Sequence, residues 1–205
     1  RAGHPESARD FDEGMASIVG AHSEAVLASY PFARVRKIVD VGGGDGKLIA
    51  KLLAANQAAQ GVLLEQPRVV ERARQRIAEA GLAARCEVLA GDMFDSIPPG
   101  GDAYLLSRVI HNWSDERAVA ILRNCRRAMA PAAKVLLVER IIPSRIEDSA
   151  AIRALAVSDL HMMVMSGGRE RTEAQYRGLF AAADLDLTQV VPTGSGMNII
   201  EGAHS

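Results

Sequence analysis

Two hydrophobic periodicities alternate along the chain. Short apolar runs of strand length recur at "KIVDV" (Lys37–Val41), "GVLLEQ" (Gly61–Gln66), "CEVLAGD" (Cys86–Asp92), "AYLLSRV" (Ala103–Val109) and "KVLLVERIIP" (Lys134–Pro143). Their length and β-branched content predict five strands. Between them, apolar residues fall at helical spacing. Leu48, Ile49, Leu52 and Leu53 follow the first run, Pro67 opens a segment that stops at Gly81, and Ser114 is a candidate N-cap for "DERAVAILRNCRRAMAP". A helical lead-in is expected from Asp10 to Ala28, with Phe11, Met15 and Ile18 at helical spacing. After Pro143 come two successive helical segments, "RALAVSDLHMMVMSGG" and "TEAQYRGLFAAAD", and then two runs joined by "PTGSG". Five strands separated by helices or crossovers imply a parallel sheet covered on both faces. The closing hairpin adds an antiparallel pair. The expected architecture is α/β: a doubly wound, mostly parallel, seven-stranded sheet with a C-terminal antiparallel hairpin.

At 205 residues the chain is long enough for one full core. The pattern divides it into a helical lead-in, residues 1–36, and an α/β domain, residues 37–205. A formal net charge of −1 gives no electrostatic reason to expect nucleic acid or a membrane surface as partner. No apolar run approaches the roughly 20 residues that span a bilayer, and "RAGHPESARDFDEG" does not form a signal peptide. Cys86 and Cys125 match no metal or redox spacing and read as buried thiols in a reducing cytoplasm. The chain starts at Arg1 and reaches its first strand only at Lys37, as a fragment or processed chain would.

The stretch "DVGGGDG", Asp40 to Gly46, joins the first strand to the first helix of the sheet. A dinucleotide fingerprint beginning at Gly42 needs glycine where Lys47 stands. A phosphate-cradling loop ending at Gly46-Lys47 needs glycine at Val41 and a hydroxyl at Leu48. What fits is D-x-G-x-G-x-G: Asp40, Gly42, Gly44 and Gly46. Together with Glu65 closing the second strand and Asp92-Met93 after the third, that pattern suits S-adenosylmethionine. Glycines let the backbone approach the ligand closely. Glu65 can accept both ribose hydroxyls, and a cationic sulfonium and ammonium tolerate acids nearby.

Candidate chemistry gathers past the fourth strand, in "RVIHNWSDE". The carboxyl edge of an open α/β sheet is where ligands bind, so His111 stands where a general base belongs. Glu139 closes the fifth run and Glu170 follows two glycines in "GGRERT". A carboxylate beside a histidine orients the ring and stabilises the imidazolium. Met162 and Met165 in "HMMVM" are candidates to line an aromatic acceptor pocket, core packing being the commoner use of methionine. Trp113 packs either near an adenine or into the core. His161 reads as a pocket-edge or solvated residue, and His4, His22 and His204 carry no specific signal.

The combination "DVGGGDG", "GDMF", "HNWSDE", "VLLVERIIP" and "GGRERT" resembles the catalytic domain of plant caffeate-type and bacterial small-molecule O-methyltransferases. That group includes hydroxyindole and anthracycline methyltransferases, and the resemblance runs from about Phe11 to Gly202. It implies a Rossmann-like methyltransferase sheet, S-adenosylmethionine as cofactor and no metal. By the resemblance, the glycine loop and Glu65 hold the methionine and ribose ends, and Asp92 and Met93 flank the adenine. Ser107, Asn112 and Trp113 fall on cofactor-facing positions; Ser107 and Asn112 stand where plant members carry lysine and often aspartate. His111 becomes the base, assisted by Glu139 and Glu170, while Met15, Met162 and Met165 face the acceptor, a hydroxylated and aromatic small molecule. The family also has an N-terminal helical domain that forms an intertwined homodimer and closes the pocket; the sequence shows no counterpart.

Three readings follow: an O-methyltransferase of secondary metabolism; a family member using the cofactor structurally in hydroxylation or decarboxylation; and a cofactor-binding subunit completed by a partner domain.

Overall fold

The computed structural model describes residues 22–145 and 149–205. Helix α1, residues 22–29, is the described end of the lead-in; Phe11, Met15 and Ile18 lie outside the described residues. Strand β1 (Lys37–Val41) leads through the glycine turn into α2 (Lys47–Ala55). The alternation continues with β2 (Gln60–Glu65), α3 (Pro67–Glu79), β3 (Cys86–Ala90), β4 (Ala103–Ser107), α4 (Asp115–Ala128) and β5 (Lys134–Glu139). Next come β6 (Ile141–Ile142), α5 (Ala150–Ser166), β7 (Arg171–Thr172), α6 (Glu173–Ala182), β8 (Leu185–Pro192) and β9 (Asn198–His204).

Seven strands form one sheet in the order β3-β2-β1-β4-β5-β9-β8. The first five are parallel, and β9 runs antiparallel between β5 and β8. The sequence order reverses between β1 and β4, which places a crevice at their carboxyl ends. Helices cover both faces, so the central strands are buried on both sides: Ala103, Tyr104, Leu105 and Leu106 of β4 are all at most 1% exposed. Each such large apolar side chain contributes about 1.5–3 kcal/mol of burial. Cys86 and Cys125 are free and buried, and burial pushes both thiols up to about 12.

Ser114 caps α4 by accepting the Arg117 N–H, and Pro67 opens α3, as expected. β2 and β3 end at Glu65 and Ala90, one and two residues before the expected Gln66 and Asp92, and two further strand ends differ. β4 stops at Ser107 because Arg108 turns into the left-handed region, φ 57°. The run Lys134–Pro143 is not one strand: after Glu139 the chain leaves the main sheet, and Ile141–Ile142 pairs instead with Arg171–Thr172. Both departures occur at the edge where the site lies. Among the described residues no helix is long and apolar enough to cross a membrane.

Candidate active site

The carboxyl ends of β1 and β4 open onto a cavity of about 340 Å³. Beyond β1, Gly42, Gly44 and Gly46 hold φ of 70°, 59° and 79°. Gly44 lines the cavity, and a Cβ built on it meets nothing within 4 Å; the positive φ, rather than crowding, calls for glycine there. Its N–H donates to Glu65 Oε2 at 2.9 Å, while Glu65 Oε1 accepts the Gln66 N–H at 2.7 Å. Glu65 therefore ties the loop to β2 from beside the cavity lining, and each of its oxygens keeps a second lone pair.

Asp40 lines the cavity yet is 1% exposed, and neither carboxyl oxygen has a hydrogen-bond partner. Burial, followed by the charge of Glu65, pushes its carboxyl up to about 7. A buried acid with unmet acceptor capacity at a cavity wall suits a cationic, N–H-bearing ligand. The ammonium of an S-adenosylmethionine methionine end has that chemistry, so these residues fit the cofactor that the glycine pattern suggested.

His111 sits on a single 3-10 turn, Ile110–Asn112, and is 6% exposed at the cavity wall. Glu139 is wholly buried beneath it. Its Oε1 accepts the backbone N–H groups of Ile110 at 2.8 Å and His111 at 3.4 Å. Its Oε2 stands 3.0 Å from His111 Nδ1, close enough for an ion pair but not aligned as a hydrogen bond. Catalytic hydrogen bonds commonly align only with reactants bound. Glu170 Oε2 is 4.0 Å from the same nitrogen. One donor atom from each of the three lies within 4.8 Å of the others, a spacing a divalent cation could also bridge.

Of the other expected residues, Gly42, Ser107, Asn112 and Met162 line the cavity. Met93 packs beside it, its methyl 3.2 Å from where a Gly42 Cβ would stand. Gly46 is the N-cap residue of α2. Asp92 is exposed and accepts the Phe94 N–H at 2.8 Å, shaping its own turn. Trp113 meets Phe94 edge to face at 4.8 Å, with the Arg117 guanidinium over both rings. The side chains of Met165 and His161, and all of Met15 and His4, lie outside the described residues.

Several residues lining the cavity have no role from the sequence, among them His22 and Arg108. His22 lines it and bonds Ser195 through Nδ1 at 3.1 Å; burial first, then the nearby Arg108 and Arg140 charges, holds its imidazole below the usual range. Arg108 lines it from the strained position after β4. Neither could be found from spacing, because the start of α1 and the turn after β4, far apart in sequence, meet only in the fold.

A family model described as an O-methyltransferase domain matches residues 1–185. The chain belongs to that family. The O-methyltransferase domain is 41% identical over 200 residues to the phenazine O-methyltransferase PhzM of Lysobacter antibioticus, covering 98% of this chain and 58% of that protein. It is 38% identical over 189 residues to aclacinomycin 10-hydroxylase RdmB of Streptomyces purpurascens, covering 92% of this chain and 50% of that protein. Among solved structures, an O-methyltransferase of neocarzinostatin biosynthesis (NcsB1), in complex with S-adenosylmethionine and a hydroxylated methyl naphthoic acid, superposes with a TM-score of 0.84. That match is 33% identical and covers 97% of this chain and 57% of that one. The chain thus spans between half and three fifths of the length of these relatives.

Proposed function

We propose that this O-methyltransferase domain transfers a methyl group from S-adenosylmethionine to a hydroxyl of an aromatic small molecule of secondary metabolism, with His111 as general base. The observation that carries the reading is the His111 imidazole at the cavity wall, with Nδ1 3.0 Å from the buried Glu139 carboxylate. An ionised Glu139 makes Nδ1 the protonated nitrogen and leaves Nε2 to accept the acceptor's hydroxyl proton. The bound cofactor supplies an electrophilic methyl on its sulfonium. As the proton reaches Nε2, the Glu139 and Glu170 carboxylates stabilise the imidazolium.

Asp40, Gly42, Gly44 and Gly46 receive the methionine end in this reading, Glu65 the ribose, and Asp92 and Met93 the adenine region. Ser107, Asn112 and Trp113 flank the cofactor, while Met162 and Met165, with Met15, face the acceptor ring. The catalytic unit is residues 37–205, preceded by the helical lead-in. Val157, Leu160, Met163 and Val164 of α5 are 57–81% exposed, an apolar row that supports a homodimer or a pocket-closing domain over α5. Two buried free thiols support a reducing, cytoplasmic setting. Metal takes no part in the proposed chemistry.

The test is product mass after incubation with methyl-labelled cofactor and dihydroxynaphthoate or hydroxyphenazine acceptors. A gain of one labelled methyl, lost about 10²- to 10⁴-fold in His111→Ala with cofactor affinity kept, is the expected result. Wild-type turnover in that variant would remove His111 from the role of base.

A second reading rests on the similarity to a 10-hydroxylase. A product that gains oxygen rather than a methyl group decides for it.

A further inference from the structure

Arg171 is the largest fully buried side chain among the described residues, 0% exposed. A guanidinium keeps its charge at any folding pH, so the fold must supply acceptors for its donors. Nε donates to Asp115 Oδ1 at 3.0 Å, and Nη2 to the same oxygen at 2.8 Å. Nη2 also donates to the carbonyl of Trp113 at 2.7 Å, and Nη1 to the carbonyls of Ile110 at 3.2 Å and Arg169 at 3.3 Å. Ile110 and Trp113 bracket His111. The side chain thus spans the turn that carries the imidazole and ties it to the first residue of α4.

The backbone around Arg171 holds the same turn. Arg169 N–H donates to the His111 carbonyl at 2.9 Å. Gly168 lies so close that a Cβ there would stand 1.9 Å from that carbonyl oxygen. From the opposite side, Glu139 takes the N–H groups of Ile110 and His111. Between Arg169 and Arg171 stands Glu170, whose carboxylate reaches toward Nδ1. β6 and β7 pair Ile141 with Arg171, so the segments bearing both carboxylates are locked to each other.

We infer that Arg171 is a positioning residue: its guanidinium fixes the carbonyls on either side of His111 and so sets where the imidazole meets Glu139 and faces the cavity. A lysine cannot replace it, because one ammonium lacks the planar fork that serves three separate carbonyls and a carboxylate. Displacement of a base by about 1 Å can cost about 10²-fold in rate. The inference rests on His111 acting as the base, and the experiment separates the two.

The test is nitrogen-15 NMR of the histidine imidazoles in the intact protein with S-adenosylhomocysteine, His111 being assigned through His111→Asn. It is run on wild type, Arg171→Lys and Asp115→Asn. Wild type is expected to show a single Nδ1–H tautomer for His111. Arg171→Lys is expected to show a mixture of tautomers with a displaced titration, and turnover of dihydroxynaphthoate lowered about 10-fold or more, with ligand affinity unchanged. Asp115, with 46% of its side chain exposed, gives the milder variant should Arg171→Lys not fold; its shift should be smaller and in the same direction. An unaltered tautomer and titration in the folded variants would overturn the inference. Wild-type turnover in His111→Asn, alongside an altered tautomer in Arg171→Lys, would instead overturn the base and leave the positioning intact.

Discussion

Glu139 meets His111 with both of its oxygens: Oε2 lies 3.0 Å from Nδ1, and Oε1 holds the backbone N–H at 3.4 Å. One carboxylate thereby holds the backbone of the residue that carries the ring and, in the proposed reading, would favour the Nδ1–H tautomer. Glu139→Gln keeps the shape and an acceptor for the backbone but removes the charge. The expected outcome is a fall in kcat of about 10- to 10²-fold, at or below the lower end of the roughly 10²- to 10⁴-fold that general acid–base catalysis supplies, because the base itself remains. KM for the cofactor should stay within about twofold. Steady-state kinetics decide it, and a larger change in KM than in kcat would count against the assignment.

Asp40 makes stability depend on pH. Its carboxyl is raised from 3.8 to about 7 by burial and by the charge of Glu65. In that interval the folded chain holds a proton that the unfolded chain has released. The contribution is therefore complete below about 4 and is lost as pH rises through about 7. Thermal melts from pH 5 to 8.5 should show a declining Tm for the ligand-free protein, and Asp40→Asn should flatten that decline. Equal slopes in the two proteins would refute the prediction.

With the methionine end seated as proposed, the same acid should link cofactor binding to protons. An ammonium seated beside Asp40 favours its charged form, so binding near pH 6 should release a proton. Calorimetry with S-adenosylhomocysteine in buffers of different ionisation enthalpy measures this directly. Asp40→Asn should abolish the buffer dependence and weaken binding.

Two glycines should fail in different ways when changed to alanine. At Gly44 the added methyl enters open space but φ is 59°, so the cost is backbone strain of about 1 kcal/mol. Cofactor affinity should fall more than stability does. At Gly168 the methyl would collide with the His111 carbonyl at 1.9 Å and with the Asn112 backbone at 2.6 Å. Turnover should therefore collapse while S-adenosylhomocysteine still binds. Calorimetry and kinetics on both variants test the contrast; matching losses would contradict it.

The cluster of His111, Glu139 and Glu170 has donor spacing that suits a cation, so the metal-free reading needs its own measurement. Dialysis against a strong chelator should leave turnover and Tm unchanged. Loss of activity restored by a divalent ion would reassign the three residues as ligands.

The elements of the sheet were legible in the sequence because their causes are local. Strand-length apolar runs, Pro67 opening α3, Ser114 capping α4 and the "PTGSG" hairpin each depend on residues a few positions apart. The glycine pattern at Asp40–Gly46 pointed to the ligand for the same reason: backbone conformation there is written in residue type. His111 and Glu139 could be nominated because strand ends place them at one sheet edge, and Glu170 because it follows two glycines in "GGRERT".

Tertiary structure alone decided how those three meet, and what holds them. Arg108 turning left-handed ends β4 early, and Ile141–Ile142 leaves the sheet to pair with β7. That departure brings the segments bearing Glu139 and Glu170 side by side. Arg171 acts on carbonyls about sixty positions away, and His22 reaches Ser195 across 173 residues. Such contacts follow from the register and packing of distant segments, which no local periodicity encodes. The sequence determined which groups could do chemistry; the packing determined which of them share a hydrogen-bonding distance.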